Sequence, residues 1–347
     1  MTAFEDLSLL RAFVSIVEGG SISSGARRMK IPQPTVSRYL RQLEEKSGGP
    51  LLRRDTHRMS LTEAGHRMLA DARTMLALAE EAHHRLYEGQ TTLSGHLRLF
   101  ATIDSGQFPV TRLISRFLQL NPKVTAEIGF TNRPLHMIQE GCDVGIIAGE
   151  ITDETVVARL AHKQLRYLVA SPALVKSRPA VREPVNLKSW PWLSLAGAQF
   201  GGSKEVKLYS DKGSEVTLPI SPVFISEGAT SMREAARTGL GICVLADFLV
   251  REDILSGQLV RVLPRWKASE ISVHVVYHAH RMLPARVRAF IDFAVSNFVS
   301  ALGSTKSADY SSIAAGQPSQ RPKSSKRGLQ KGASSTRLGR GTRLPHR

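Results

Sequence analysis

The run Gly20-Ser21-Ile22-Ser23-Ser24-Gly25-Ala26-Arg27-Arg28-Met29-Lys30-Ile31-Pro32-Gln33-Pro34-Thr35-Val36-Ser37-Arg38-Tyr39-Leu40-Arg41-Gln42-Leu43 carries the punctuation of two short helices joined by a tight turn. Ser21 is suited to cap a helix over 22–29, because its hydroxyl can accept a free first-turn amide. Ala26 is small, as a close helix crossing requires. Lys30-Ile31-Pro32 makes the turn. Pro34 falls in the first turn of the next helix, where its missing N–H costs nothing. Val36, Leu40 and Leu43 face inward there. Upstream, Leu7, Leu10, Val14 and Val17 recur at helical spacing with Phe13 beside them, and Gly19-Gly20 ends that first helix.

The polar residues of this region have nucleic-acid chemistry. Gln33, Thr35, Ser37, Arg38, Arg41 and Gln42 lie on the outward face of the third helix. Arg and Gln can read base edges, while Ser and Thr reach phosphates or either base edge. Between 27 and 58 there are nine basic residues and three acidic ones. Leu51-Leu52-Arg53-Arg54 and His57-Arg58-Met59-Ser60-Leu61 read as a short β-wing with basic flanks. The DNA-contact set expected from this pattern is Ser23, Arg28, Gln33, Pro34, Thr35, Ser37, Arg38, Arg41, Gln42, Arg53, Arg54 and Arg58. Spacing alone also fits a plain helical bundle with a solvated basic face.

Charge and composition bound the rest. The 347 residues suit two or three domains. The net charge of +17 suggests a polyanionic partner, but ten basic residues against one acid lie in 303–347. That tail is rich in Ser, Gly, Arg and Lys and is expected to be disordered. It either adds sequence-independent phosphate contacts or is a solvated extension. Cys142 and Cys243 are far apart in sequence and suit a reducing cytoplasm. We find no secretory leader and no apolar run long enough to span a bilayer. There is no G-x-S-x-G, no H-E-x-x-H, no Walker loop and no metal constellation among the eleven histidines. Neither an enzyme nor a cofactor or metal is expected. An exported solute-binding protein would account for 93–300 but would leave 1–88 unexplained.

Residues 62–88 read as one long helix, with Thr62 as its cap and Glu63 in its first turn. Leu69, Ala72, Leu76, Ala79, His83 and Leu86 are spaced as a heptad seam. The seam predicts a homodimer and hence a roughly palindromic operator. The same stripe also fits a helix packed on its own domain. Residues 93–300 alternate apolar runs and amphipathic stretches, as α/β units do. Strands are expected at 96–101, 124–130 and 143–148, then at 165–170 and 192–195, with the run Gly239-Leu240-Gly241-Ile242-Cys243-Val244-Leu245 beyond. A strand at 273–277 and a helix at 284–299 follow, and another helix is expected at 108–120.

The blocks Leu10-Arg11-Ala12-Phe13-Val14, Gly20-Ser21-Ile22-Ser23, Ala26-Arg27-Arg28, Gln33-Pro34-Thr35-Val36-Ser37, Leu43-Glu44 and Leu61-Thr62-Glu63-Ala64-Gly65 resemble the LysR-type transcriptional regulators in order and spacing. The resemblance runs to about residue 300. It implies a multidomain α/β protein with a winged helix-turn-helix (1–61), a linker helix (62–92) and a two-lobed effector domain like the periplasmic binding proteins (93–302). Lobe I would take 93–162 and 272–302, and lobe II 163–271. A small-molecule effector, such as an organic acid, and a homodimer or homotetramer are further implications.

Ligands of open α/β sheets sit beyond the C-terminal strand ends. That expectation singles out Thr102, Asp104, Ser105, Thr131, Asn132, Ser194 and Ser226 as effector contacts, though each type also caps helices. Three positions depart from the family pattern. Lys30 stands at a turn often occupied by Gly, the wing reads Leu51-Leu52-Arg53-Arg54, and Ala148-Gly149-Glu150 lacks a common Arg.

Overall fold

A computed structural model of the chain describes residues 6–54, 59–88, 93–133, 137, 141–197, 204–279 and 283–303. The first three helices are α1 (Leu7–Gly19), α2 (Ile22–Met29) and α3 (Gln33–Lys46). Their ends follow local chemistry. Asp6 accepts the Ser8 amide ahead of α1, and Ser21 Oγ accepts the Ser24 amide ahead of α2. The buried stripe of α1 is Leu9, Leu10, Ala12, Phe13 and Ile16, while Leu7, Val14 and Val17 only flank it. The expected stripe is therefore rotated, because α1 packs against α2, α3 and the long helix that starts at Glu63. The tightest crossing is at Gly25 rather than Ala26. A Cβ on Gly25 would stand 2.9 Å from the Ile16 backbone nitrogen.

Lys30 ends α2 in the left-handed region, at φ 56°. A non-glycine side chain there costs roughly 1 kcal/mol. Lys30→Gly is expected to raise the unfolding free energy of the DNA-binding half by about 0.5–1 kcal/mol, less what glycine adds in chain entropy. Denaturant titration followed by far-ultraviolet dichroism reads it, and a destabilised variant would contradict the account.

The wing is a two-stranded ribbon, β1 (Leu52–Arg54) antiparallel to β2 (Met59–Leu61). Next comes α4 (Glu63–Glu88), whose first turn is capped when the Gly65 amide donates to Thr62 Oγ1. Leu69 and Ala72 of the expected seam are buried inside this chain, in one apolar cluster with Leu9, Phe13 and Leu43. Leu76 flanks that cluster. The N-terminal half of the expected seam thus closes the core of the DNA-binding domain. Ala79 is half-buried and His83 exposed, and the side chain of Leu86 lies outside the described residues.

The effector region is built on one nine-stranded sheet. Strand β3 (Gly95–Ala101) pairs in parallel with β4 (Val124–Phe130) and β5 (Val144–Ala148). Between β3 and β4, α5 (Ile103–Ser105) runs through a π-turn at Gly106–Val110 into α6 (Thr111–Leu120). The helix starts earlier than expected, and the π-turn absorbs the amide that Pro109 lacks. Two long antiparallel strands, β6 (Val156–Ala170) and β13 (Trp266–His278), cross between the lobes.

Lobe II adds α7 (Pro172–Lys176), β7 (Trp192–Leu195), β8 (Glu205–Ser210), β9 (Glu215–Pro219), β10 (Pro222–Ser226), α8 (Ala229–Arg237), β11 (Cys243–Ala246), α9 (Asp247–Ser256) and β12 (Val260–Arg261). Helix α10 (Ala285–Ala301) returns to lobe I, where Phe290 and Phe298 are fully buried with Leu97, Leu99 and Val275.

An ion cluster ties α1, α2, α4 and lobe I together. Glu18 takes Arg98 at 2.5 Å, Arg28 at 2.9 Å and Arg73 at 3.3 Å, and Arg98 also reaches Glu127 at 2.6 Å. Burial, then the adjacent Arg98 charge, hold the Arg73 guanidinium below its ordinary range, and Glu18 offsets part of this. Glu18, Arg73 and Arg98 are largely shielded from water, whereas Arg28 and Glu127 are exposed, so the inner pairs resist salt better than the outer ones.

Candidate DNA-reading helix and interlobe cleft

On α3, Val36, Leu40 and Leu43 are buried, which fixes the opposite face outward. Gln33, Pro34, Arg38, Arg41 and Gln42 are exposed, whereas Thr35 and Ser37 are half-buried. Arg53 is exposed on the wing. Two expected contacts are already engaged: Ser23 Oγ donates to Gln33 Oε1 at 2.9 Å, and Arg28 pairs with Glu18. The side chain of Arg54 and all of Arg58 lie outside the described residues.

A cavity of about 760 Å³ opens between the lobes. Thr102, Asp104, Ser105 and Ser194 line it. Among the described residues, Thr131, Asn132 and Ser226 do not line it. Each serves the backbone instead. Thr131 Oγ1 accepts the Arg133 amide, and Ser226 Oγ accepts the Gly228 amide. Asn132 accepts the Ile103 amide through Oδ1 and donates to the Glu227 carbonyl. Thr102 is buried and its hydroxyl accepts the Ala148 amide at 2.7 Å, tying the ends of β3 and β5.

Asp104 does something the sequence reading missed. Its carboxylate accepts the Ala229 and Thr230 amides at 2.7 and 3.0 Å, and the Thr230 hydroxyl at 3.1 Å. Gly228, at the N-cap of α8, has no side chain to do this. A lobe I carboxylate thus caps a lobe II helix and closes the cleft on that side. Asp104→Ala is expected to free both amides. Hydrogen exchange of peptides spanning 226–232 should then quicken about fivefold, as loss of a cap of about 1 kcal/mol implies. Unchanged exchange would mean the lobes are held by other contacts.

Sequence reading also missed Gln164, Arg166 and His274, which line the cavity from β6 and β13. Burial keeps the His274 imidazole below its usual range, hence neutral at pH 7. Cys142 and Cys243 are both buried free thiols, and burial pushes the Cys243 thiol far up, so it stays protonated and inert.

Two family models match: "Bacterial regulatory helix-turn-helix protein, lysR family" over residues 7–66, and "LysR substrate binding domain" over residues 90–299. The chain belongs to the LysR family. A probable HTH-type regulator, LtrA of Klebsiella pneumoniae, is 30% identical over 86% of this chain and 97% of its own. Among solved structures, the full-length virulence activator AphB of Vibrio cholerae is 26% identical, with TM-score 0.53, over 84% of this chain and 99% of that one. CrgA of Neisseria meningitidis is also 26% identical, with TM-score 0.53, over 86% and 99%. The chain is a LysR-type transcriptional regulator rather than an enzyme, with a DNA-binding helix-turn-helix and an effector-binding domain. LysR regulators bind DNA and small-molecule effectors and form oligomers. Among the described residues, no helix is long and apolar enough to cross a membrane.

Proposed function

We propose that this LysR regulator binds a roughly palindromic operator in the cytoplasm as a homodimer or homotetramer, with α3 of each copy in the major groove. The observation that carries the reading is the outward face of α3, where Arg38 and Arg41 stand exposed one helical turn apart. Gln33 and Gln42 flank them, Thr35 and Ser37 serve the backbone side, and Arg53 of the wing reaches the neighbouring phosphates. Pairing of copies falls to the part of α4 beyond the DNA-binding core, around Ala79 and His83. The effector, an organic acid, enters the interlobe cleft past Thr102, Ser105 and Ser194, and its binding shifts how the paired copies sit on DNA.

Genome-wide mapping of bound DNA together with sedimentation of the full chain tests this. Enriched sites should carry two inverted half-sites, and the protein should sediment as a dimer or larger. A strict monomer at high micromolar concentration, or sites without inverted symmetry, would overturn it.

A further inference from the structure

Among the described residues, one cation in the cleft has no carboxylate paired with it. Arg166 lies on β6 where that strand crosses between the lobes, opposite Ala268 of β13, and its Nε donates to the Ser269 carbonyl at 2.7 Å. Burial lowers its pKa to about 10 with no carboxylate offsetting the shift, so it remains a cation at neutral pH. A poorly hydrated guanidinium without a counter-ion is costly, and a bound anion relieves that cost. Its planar donors match a carboxylate two to two.

Another place for an anion, the start of α8, is already taken by the Asp104 carboxylate. The inner walls are apolar: Trp192, Leu193, Met232 and Phe248 line them. At the rim, Glu150, Glu205 and Glu270 are exposed, with Lys207 beside them. A second negative charge on a ligand would face those carboxylates.

We infer that the cleft takes an organic monoanion with an apolar body, its carboxylate seated on Arg166 at the crossing strands and not on the α8 N-terminus. The inference rests on the cleft being the effector site, as proposed above.

Isothermal titration of the full chain with octanoate, octanamide and octanedioate, all below micellar concentration, tests the charge rule. Octanoate is expected to bind about tenfold or more tightly than either of the others. Arg166→Gln should bring octanoate down to the octanamide level and leave octanamide unchanged, which also shows that the variant is folded. Equal octanoate binding by wild type and Arg166→Gln, tighter binding of octanedioate, or no binding of any probe at millimolar concentration would overturn the inference. Ala246→Trp fills the cleft from a wall position outside the apolar clusters. It should abolish binding of all three. Octanoate binding that survives it, with the thermal transition intact, would instead overturn the cleft as the effector site.

Discussion

Replacing Arg38 and Arg41 together by alanine is expected to lower operator affinity about a hundredfold or more while leaving the fold intact. A bidentate arginine–base contact is worth about 1–3 kcal/mol, and two such contacts on separate bases add. Both side chains are exposed and sit opposite the buried Val36, Leu40 and Leu43, so their removal opens no cavity. Alanine also favours the helix. Salt separates the two roles an arginine can take. If both contact phosphate, affinity falls equally for operator and scrambled duplex, and the slope of log affinity against log salt flattens by roughly one per residue. If they read bases, the loss is concentrated on the operator. Anisotropy titrations on both duplexes over a range of salt give the answer. Operator binding that survives the double variant would mean α3 meets DNA with another face.

What could be read in the sequence follows how far each signal reaches along the chain. The caps at Ser21 and Thr62 and the inward face of α3 were legible because their partners lie within a turn or two. The strands at 165–170 and 273–277 were found short. Both β6 and β13 pass from one lobe to the other, and polar residues such as Arg159, Lys163, Gln164 and Arg166 interrupt their apolar pattern where they cross. The hairpin of β8 and β9 was missed, although Asp211-Lys212-Gly213 marks its turn.

The heptad spacing of α4 is real, yet an apolar stripe does not name what covers it, and for Leu69 and Ala72 the cover is α1 of the same chain. Arg166 carried no local signal. Its surroundings come from Ala268 and Ser269, a hundred residues away. Asp104 was recognised as a cleft residue, but its true partners, Ala229 and Thr230, are equally remote.

Gly65→Ala is the single-methyl change expected to damage the DNA-binding half most. The block Leu61-Thr62-Glu63-Ala64-Gly65 ends on it, and the structure supplies the physical reason. A Cβ on Gly65 would fall 2.0 Å from the Leu51 carbonyl oxygen and 3.1 Å from Leu61 Cδ2. That oxygen cannot retreat easily. It accepts the Thr62 amide at 3.0 Å, while the Leu51 amide donates to Glu44 Oε1 at 2.9 Å and the Thr62 hydroxyl holds the adjoining Pro50 carbonyl at 2.9 Å. Leu51 itself is buried in the domain core.

On propensity alone, alanine inside the first turn of α4 would stabilise the helix by up to about 1 kcal/mol. Overpacking against a pinned backbone costs about 1–3 kcal/mol or more, so the sign should reverse. The net loss should lower the melting temperature of the DNA-binding half by several degrees. It should also weaken operator binding, because β1 and the wing must move relative to α3 to make room. Gly49→Ala is the matching control. A Cβ there meets nothing within 4 Å, and Gly49 is not in the left-handed region, so it should melt at or slightly above the wild-type temperature. If Gly65→Ala melted with Gly49→Ala, the Leu51 carbonyl would have room to yield, and glycine at the start of the linker helix would need another explanation.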